Sequence, residues 1–211
     1  MSWMQTISGR AVDLQNPDPE SLMIEDIAAH LARIPRFNGA TREFYSVGQH
    51  SVLVSLYLRN EEEPLPLAGL LHDAHEAYFG DITSPVKELL ASQFLHARLW
   101  GFDRVIEERF IPGDWRRPTM DDPRIKEADR ILLATEKRDL MAREPRPWAK
   151  LPEPWPGTKI IPWTEYESYH RFLNRFAELT GGIAIGSPDL RKKLEAATSI
   201  VDFQKEVEHA D

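Results

Sequence analysis

Four side chains in this sequence have the chemistry of metal ligands and stand among apolar neighbours: His50, the adjacent pair His72-Asp73, and Asp129. Ile125, Ala128, Leu132 and Leu133 surround Asp129 at helical spacing, which puts its carboxylate on a face expected to be buried. A buried ionised carboxylate costs several kcal/mol unless it is paired or bound to a metal. His72 and Asp73 pose the same problem among Leu70, Leu71 and Ala74. On a continuous helix, Glu76 lies about 40° from His72 and about 60° from Asp73, one turn on and on the same side. From there it would reach a water held by an ion on that pair. Asp81 follows Gly80 at the mouth of the same helix. Two imidazoles and two carboxylates suit one divalent ion with open positions, and nitrogen and oxygen ligands are compatible with Mn, Fe, Co, Ni or Zn. Residue types alone leave a buried hydrogen-bonded polar cluster as the alternative.

The elements that must position these groups read as helices. Residues 24, 27, 28, 31 and 34 are apolar and form one helical face. Ser46 and Gln49 have the spacing of a capping box ahead of a second helix carrying His50. Pro66 suits the first turn of a third, which runs through the His72-Asp73 pair towards Phe79 and stops at Gly80. Ser84-Pro85 opens a fourth towards Phe110, and Asp122-Pro123 a fifth to about Ala142. A sixth spans roughly Trp163 to Leu179 and ends at Gly181-Gly182, with one or two short helices beyond. Strand signals are scarce; Thr158 to Pro162 could be extended. The fold class expected is all-α. Six of the 16 prolines lie between Pro145 and Pro162, with Trp148, Trp155 and Trp163 among or beside them. That segment cannot be regular helix. It reads as a long loop packed on the body, or as a substrate-facing flap or oligomer contact.

Composition removes whole classes of function. The chain has 211 residues, which allows one domain. No cysteine is present, which excludes disulfides, thiolate zinc sites, iron–sulfur clusters and cysteine nucleophiles. With 26 Lys+Arg against 34 Asp+Glu, the net charge of −8 argues against a nucleic-acid polymer as partner but permits a small anion held by a few local cations. No apolar run approaches the roughly 18 residues of a membrane span, and the N-terminus does not read as a secretory signal. The expected location is the cytoplasm.

His50, His72-Asp73 and Asp129 resemble the H…HD…D signature of the HD superfamily of metal-dependent phosphohydrolases. The segment Arg36-Phe-Asn-Gly-Ala-Thr-Arg42 with Tyr45-Ser-Val-Gly-Gln-His50 resembles the approach to the first metal histidine in bacterial 5′-deoxynucleotidases. Leu70 to Asp81 resembles their HDxxExxxGD stretch, and Ala128-Asp129 with Leu132 to Glu136 resembles the helix of the last ligand. The layout is also similar to phage-type dATP triphosphohydrolases. The likeness covers about Ile24 to Leu140. It implies a single HD-domain helical bundle over 1–211, with a Pro/Trp-rich loop at about 144–162 and a C-terminal helical annex. It implies one divalent metal ion (Mn, Co, Fe, Ni, Zn or Mg) on His50, His72, Asp73 and Asp129. Glu76 would activate the attacking water, and Asp81 would orient the sugar or assist proton transfer. Arg36 would meet phosphate, with Phe37, Arg42 and Lys87 also lining the substrate. The family usually carries Trp where this chain has Phe37, which keeps a stacking face but loses the indole N–H. The implied substrate is a small nucleotide, and the implied assembly a homo-oligomer, a dimer in the first instance.

The expected function is therefore hydrolysis of phosphate esters of (deoxy)nucleotides, of 5′-deoxynucleotidase or dNTP triphosphohydrolase type. The alternatives are a non-catalytic nucleotide sensor, or an HD protein of other chemistry such as a two-metal phosphodiesterase or an oxygenase. Two-metal types need further histidines between Asp73 and Asp129, where only His75 and His96 occur. His75 reads as a packing residue beside the motif. Glu136, seven residues after Asp129 and on roughly the same face, reads equally as a support for a ligand or a buried ion pair. His30, His96, His170 and His209 have no partner evident in the sequence.

Overall fold

The computed structural model describes residues 2–90, 93–111 and 119–182. Apart from one small hairpin the regular structure in these residues is helical. The helices are α1 (Ile24–Arg33), α2 (Val47–Tyr57), α3 (Leu65–Leu71), α4 (Glu76–Phe79), α5 (Ser84–Leu90), α6 (Gln93–Phe110), α7 (Pro123–Leu140) and α8 (Glu165–Leu179). The short helices expected at the C-terminus lie outside the described residues.

Helix α2 is the axis of the bundle. It packs against α1, α3, α7 and α8, and residues Val47 to Val52, Val54 and Ser55 are all buried. A helix covered on every side needs no polar stripe, and α2 has none, so His50 sits in the middle of the protein. Ser46 caps it as expected, its Oγ accepting from Gln49 N–H at 3.1 Å. The reciprocal half of the capping box is missing because the Gln49 side chain is used elsewhere: it donates to Ile161 O and accepts from Trp163 N–H, both at 2.8 Å. Gly48 permits the close packing of α1 and α8 on this end. A Cβ there would stand 2.8 Å from Ser168 Oγ and 3.2 Å from Ala32 N.

Three expectations about secondary structure need correction. The third helix is not continuous to Phe79. It breaks into α3 and α4 across residues 72–75, where tight bonds run from Ala74 N–H to Leu71 O and from Glu76 N–H to Asp73 O. The chain keeps turning but more tightly than an α-helix, so the His72-Asp73 pair occupies a bend. Second, Thr158 to Pro162, which could be extended, joins no sheet: Asp139 accepts from Ile160 N–H, Gln49 and Arg138 donate to Ile161 O and Thr158 O, and Thr158 N–H turns back to Trp155 O. Third, a hairpin escaped the sequence reading: β1 (Trp3–Gln5) pairs antiparallel with β2 (Ala11–Asp13), and Gly9 takes a positive φ of 86° in the turn. Ser8 ties that turn to the buried Asp26 of α1 through its N–H and its hydroxyl, at 3.0 and 2.7 Å.

The remaining ends follow their local chemistry. Asp122 caps α7, accepting from Arg124 N–H, with Pro123 in the first turn. Thr164 and Glu167 form a complete capping box on α8. Between α7 and α8 the proline-rich segment is a strap laid over both α2 and α7. Besides the Gln49 amide, Thr135 Oγ1 accepts from Trp155 N–H and Asp139 Oδ2 accepts from Ile160 N–H, each at 2.8 Å. The strap is therefore a packed loop fixed to the two helices that carry His50 and Asp129.

Candidate metal centre

His50, His72 and Asp129 come together. One ligand atom from each lies within 4.8 Å of the others, and among the described residues this is the one such group. Helix α2 supplies the first, the bend after α3 the second, and α7 the third. Asp73 stands beside them, its Oδ2 3.1 Å from His72 Nε2 and 3.7 Å from His50 Nε2. Asp129 is less enclosed than its apolar neighbours suggest: its side chain is 39% exposed, against 17% for Asp73 and 0% for His50. The cluster is open on the α7 side.

The tautomers are set by what the Nδ1 atoms meet. His72 Nδ1 lies 2.9 Å from Gly69 O, and His50 Nδ1 lies 2.6 Å from Glu136 Oε1. A carbonyl and a carboxylate accept, so each Nδ1 donates and each Nε2 is turned to the cluster. Both Nε2 atoms are buried and face only carboxylates, His50 Nε2 3.1 Å from Asp129 Oδ1 and His72 Nε2 3.1 Å from Asp73 Oδ2. Two inward imidazole nitrogens, each oriented by an acceptor on the far side of its ring, are the arrangement of metal-ligating histidines. With the Asp129 carboxylate they fit a divalent ion.

Glu136 was the open question of the sequence, and its side chain is fully buried behind His50. Oε1 also accepts from the Tyr45 hydroxyl at 2.8 Å, and Oε2 lies 3.4 Å from Arg36 Nε. Tyr45 carries no motif signal beyond its place next to the α2 cap, and its contact with a residue 91 positions away could not be read from spacing.

Arg36 reaches the same cluster. Its guanidinium stands 3.3 Å from Asp73 Oδ2, 3.9 Å from Asp129 Oδ1 and 3.4 Å from Glu136. The turn that delivers it is strained. Phe37 and Asn38 have φ of 56° and 51°, a left-handed conformation uncommon for residues other than glycine. Phe37 lies under the Arg36 guanidinium, 5.4 Å from ring centroid to Cζ, and its ring is 6.3 Å from that of Trp148 on the strap.

These charges oppose one another strongly. Burial and the Arg36 charge work against protonation of His50, but Glu136 and Asp129 outweigh them and hold the imidazole up at about 9. Burial also resists ionisation of Asp73; His72, His50 and Arg36 overcome it and hold the carboxyl well below its ordinary value. The same balance lowers Asp129, chiefly through His50, and Glu136, chiefly through Arg36 and His50. Glu76 goes the other way. It is 3% exposed, and burial together with the charges of Asp73 and Asp81 pushes it up to about 9. Its Oε2 has no partner, and Lys87 Nζ is 3.9 Å from Oε1. Asp81 is also raised, by burial first, while accepting the Phe37 N–H lowers it.

Arg42 is placed differently from the other expected substrate residues. It is exposed and donates to Met141 O at 2.6 Å, at the end of α7. His75 is buried and held by Asp103 of α6, Nδ1 to Oδ1 2.8 Å. His30 does have partners: Nδ1 meets Ala77 O at 2.9 Å and Nε2 accepts from Ile7 N–H, joining α1 to α4 and the hairpin turn.

Fold and site together describe a helical protein with a partly buried two-histidine, carboxylate cluster able to hold a metal ion. The chain belongs to the same family as the uncharacterized protein YfdR of Escherichia coli, to which it is 37% identical over 185 residues, 85% of this chain and 97% of that protein. It is 42% identical over 100 residues to the uncharacterized protein RCAP_rcc00048 of Rhodobacter capsulatus, spanning 44% of this chain and 51% of that one. No family model matches the chain. Among the described residues no helix is long and apolar enough to cross a membrane.

Proposed function

We propose that the protein is an HD-type, metal-dependent phosphohydrolase acting on (deoxy)nucleotides, as a 5′-nucleotidase or a dNTP triphosphohydrolase. One observation carries this reading: His50 and His72 turn buried Nε2 atoms onto Asp129 and Asp73, with the buried carboxyl of Glu76 and the cations Arg36 and Lys87 beside them. A divalent ion on such ligands lowers the pKa of a coordinated water and draws charge from a phosphoryl oxygen.

The chain's own groups would do the rest. Glu76 Oε2 is the free acceptor for a proton from the attacking water. Its raised pKa in the metal-free cluster reflects burial beside Asp73 and Asp81, and added positive charge lowers it towards the range useful for a general base. Arg36 would exchange part of its carboxylate contacts for phosphate oxygens, which its planar fork suits. Lys87 would add a second cation beside Glu76. Asp81, fixed by the Phe37 N–H, would receive a sugar hydroxyl, and the Phe37 ring would supply a stacking face.

The decisive experiment incubates the protein with a panel of nucleotides plus Mn or Co and identifies the products. Orthophosphate with nucleoside indicates a nucleotidase, and tripolyphosphate with nucleoside a triphosphohydrolase. Bound metal with no hydrolysis of any nucleotide would overturn the reading and leave a nucleotide sensor or an HD protein of other chemistry.

A further inference from the structure

An open cavity of about 550 Å³ lies between the end of α7 and the strap. Its lining includes Arg42, Lys137, Arg138 and Arg143 against the carboxylates Glu144 and Glu153. This is a concentration of positive charge on a chain of net −8. The remaining wall is apolar, formed by Met141, Leu151 and prolines 152 and 154.

The cavity is separate from the metal centre. On α7, Glu136 lies about 20° from Asp129, whereas Lys137, Ala134 and Arg138 lie about 80°, 140° and 180° round the helix. Asp129 and Glu136 therefore face the cluster while the cations of the cavity face the strap.

The cavity is also built in advance. Proline restricts one wall, and three bonds hold that wall to α7: Trp155 N–H to Thr135, Ile160 N–H to Asp139, and Arg130 to Lys150 O at 3.0 Å. Little ordering is left for a ligand to impose. Not all four cations are spent internally. Arg138 is taken up by Asp139 and Thr158 O, and Lys137 is shared between Glu144 and the Trp148 ring. Arg42 gives one nitrogen to Met141 O and keeps the others, and Arg143 pairs with no described residue.

We infer that this cavity binds a small organic polyphosphate of nucleotide size, with its phosphates on Arg42, Arg143 and Lys137 and its apolar portion against Leu151 and Pro152. A volume of this order suits such a ligand, and guanidinium pairs favour phosphate over simple anions. The site does not depend on the metal centre or on hydrolysis.

Calorimetric titration of the EDTA-treated full chain with ATP, at a roughly physiological ionic strength of about 150 mM NaCl, tests it. The expected result is saturable binding, weakened at least about tenfold in Lys137→Gln/Arg143→Gln and unchanged in Arg104→Gln, a part-exposed cation of α6 that lines neither site. Both variants change partly exposed side chains, and unfolding midpoints equal to the parent's show that the fold is kept. Binding undiminished in Lys137→Gln/Arg143→Gln, binding lost in Arg104→Gln, or no saturable binding by the parent would each overturn the inference.

Discussion

His50 Nδ1 donates to Glu136 Oε1 across 2.6 Å, between two side chains that solvent does not reach at all. That contact turns Nε2 of His50 to the cluster and raises the basicity of the ring. Glu136→Gln keeps the shape but loses the charge, and the expected effect is a metal affinity about 10–100-fold weaker with the fold intact. Tyr45→Phe, which removes the other donor to the same oxygen, should act in the same direction and less. Metal titration of the variants checks both; an unchanged affinity in Glu136→Gln removes the carboxylate from any supporting role.

Without metal, His50 is held up at about 9 and Glu76 at about 9. Both folded values lie above the unfolded ones, so from about pH 6.5 to about pH 9 the folded protein binds more protons at these groups than the unfolded chain. The stability that these protons confer is lost as pH rises through the folded pKa. The unfolding midpoint of the EDTA-treated protein should therefore fall between pH 6.5 and 9, and for a chain of this size each kcal/mol lost is about 2–4 °C. A midpoint that rises across that window contradicts the assignment.

Metal must displace the same proton from His50 Nε2. Binding at pH 7.5 should release between about one and two protons per ion, one from His50 because ligands bind deprotonated and up to one more from Glu76 as the added charge lowers it. Titrations in buffers of different ionisation enthalpy read the number directly, and release of none would mean that His50 is not a ligand.

Asp73 and Glu76 separate binding from chemistry. Asp73→Ala should lose both metal and activity. Glu76→Gln should retain metal and lose about 10²–10⁴-fold in kcat, the ordinary contribution of a positioned acid or base. Full activity in Glu76→Gln would end its catalytic assignment.

The strap offers a test remote from the ligands. Gln49 is 1% exposed and holds Ile161 O and Trp163 N–H together. Gln49→Ala should cost about 1–3 kcal/mol and speed limited proteolysis within 144–162. Cleavage at the parental rate would mean that the other anchors suffice.

Much of this architecture was legible where the signals are local. The Ser46 and Asp122 caps, the apolar face of α1 and the glycines after α8 were visible because each depends on residues a few positions apart. The candidate ligands were visible because polar groups among apolar neighbours are conspicuous. What escaped depended on distance or on competition. The helix break at 72–75 carries no proline or glycine to mark it. The capping box at Ser46 was half right because Gln49 found partners 112 and 114 residues away. Tyr45 joined the site, and Asp103 met His75 beside it, through folding that no spacing encodes. The hairpin at the N-terminus was too short to alternate convincingly. Arg42, grouped with the substrate residues by its motif, lines a different cavity because the strained turn at Phe37 and Asn38 sends the chain on towards the end of α7.

The uneven enclosure of the cluster has a kinetic meaning. With His50 walled in by the bundle and Asp129 the most exposed of the ligands, the doorway evident among the described residues is on the α7 side. An incoming ion, its companion waters, a substrate and a departing product would share it. A molecule lodged in that doorway would then trap the ion behind it, and the rate at which a chelator strips metal becomes a gauge of who occupies the entrance.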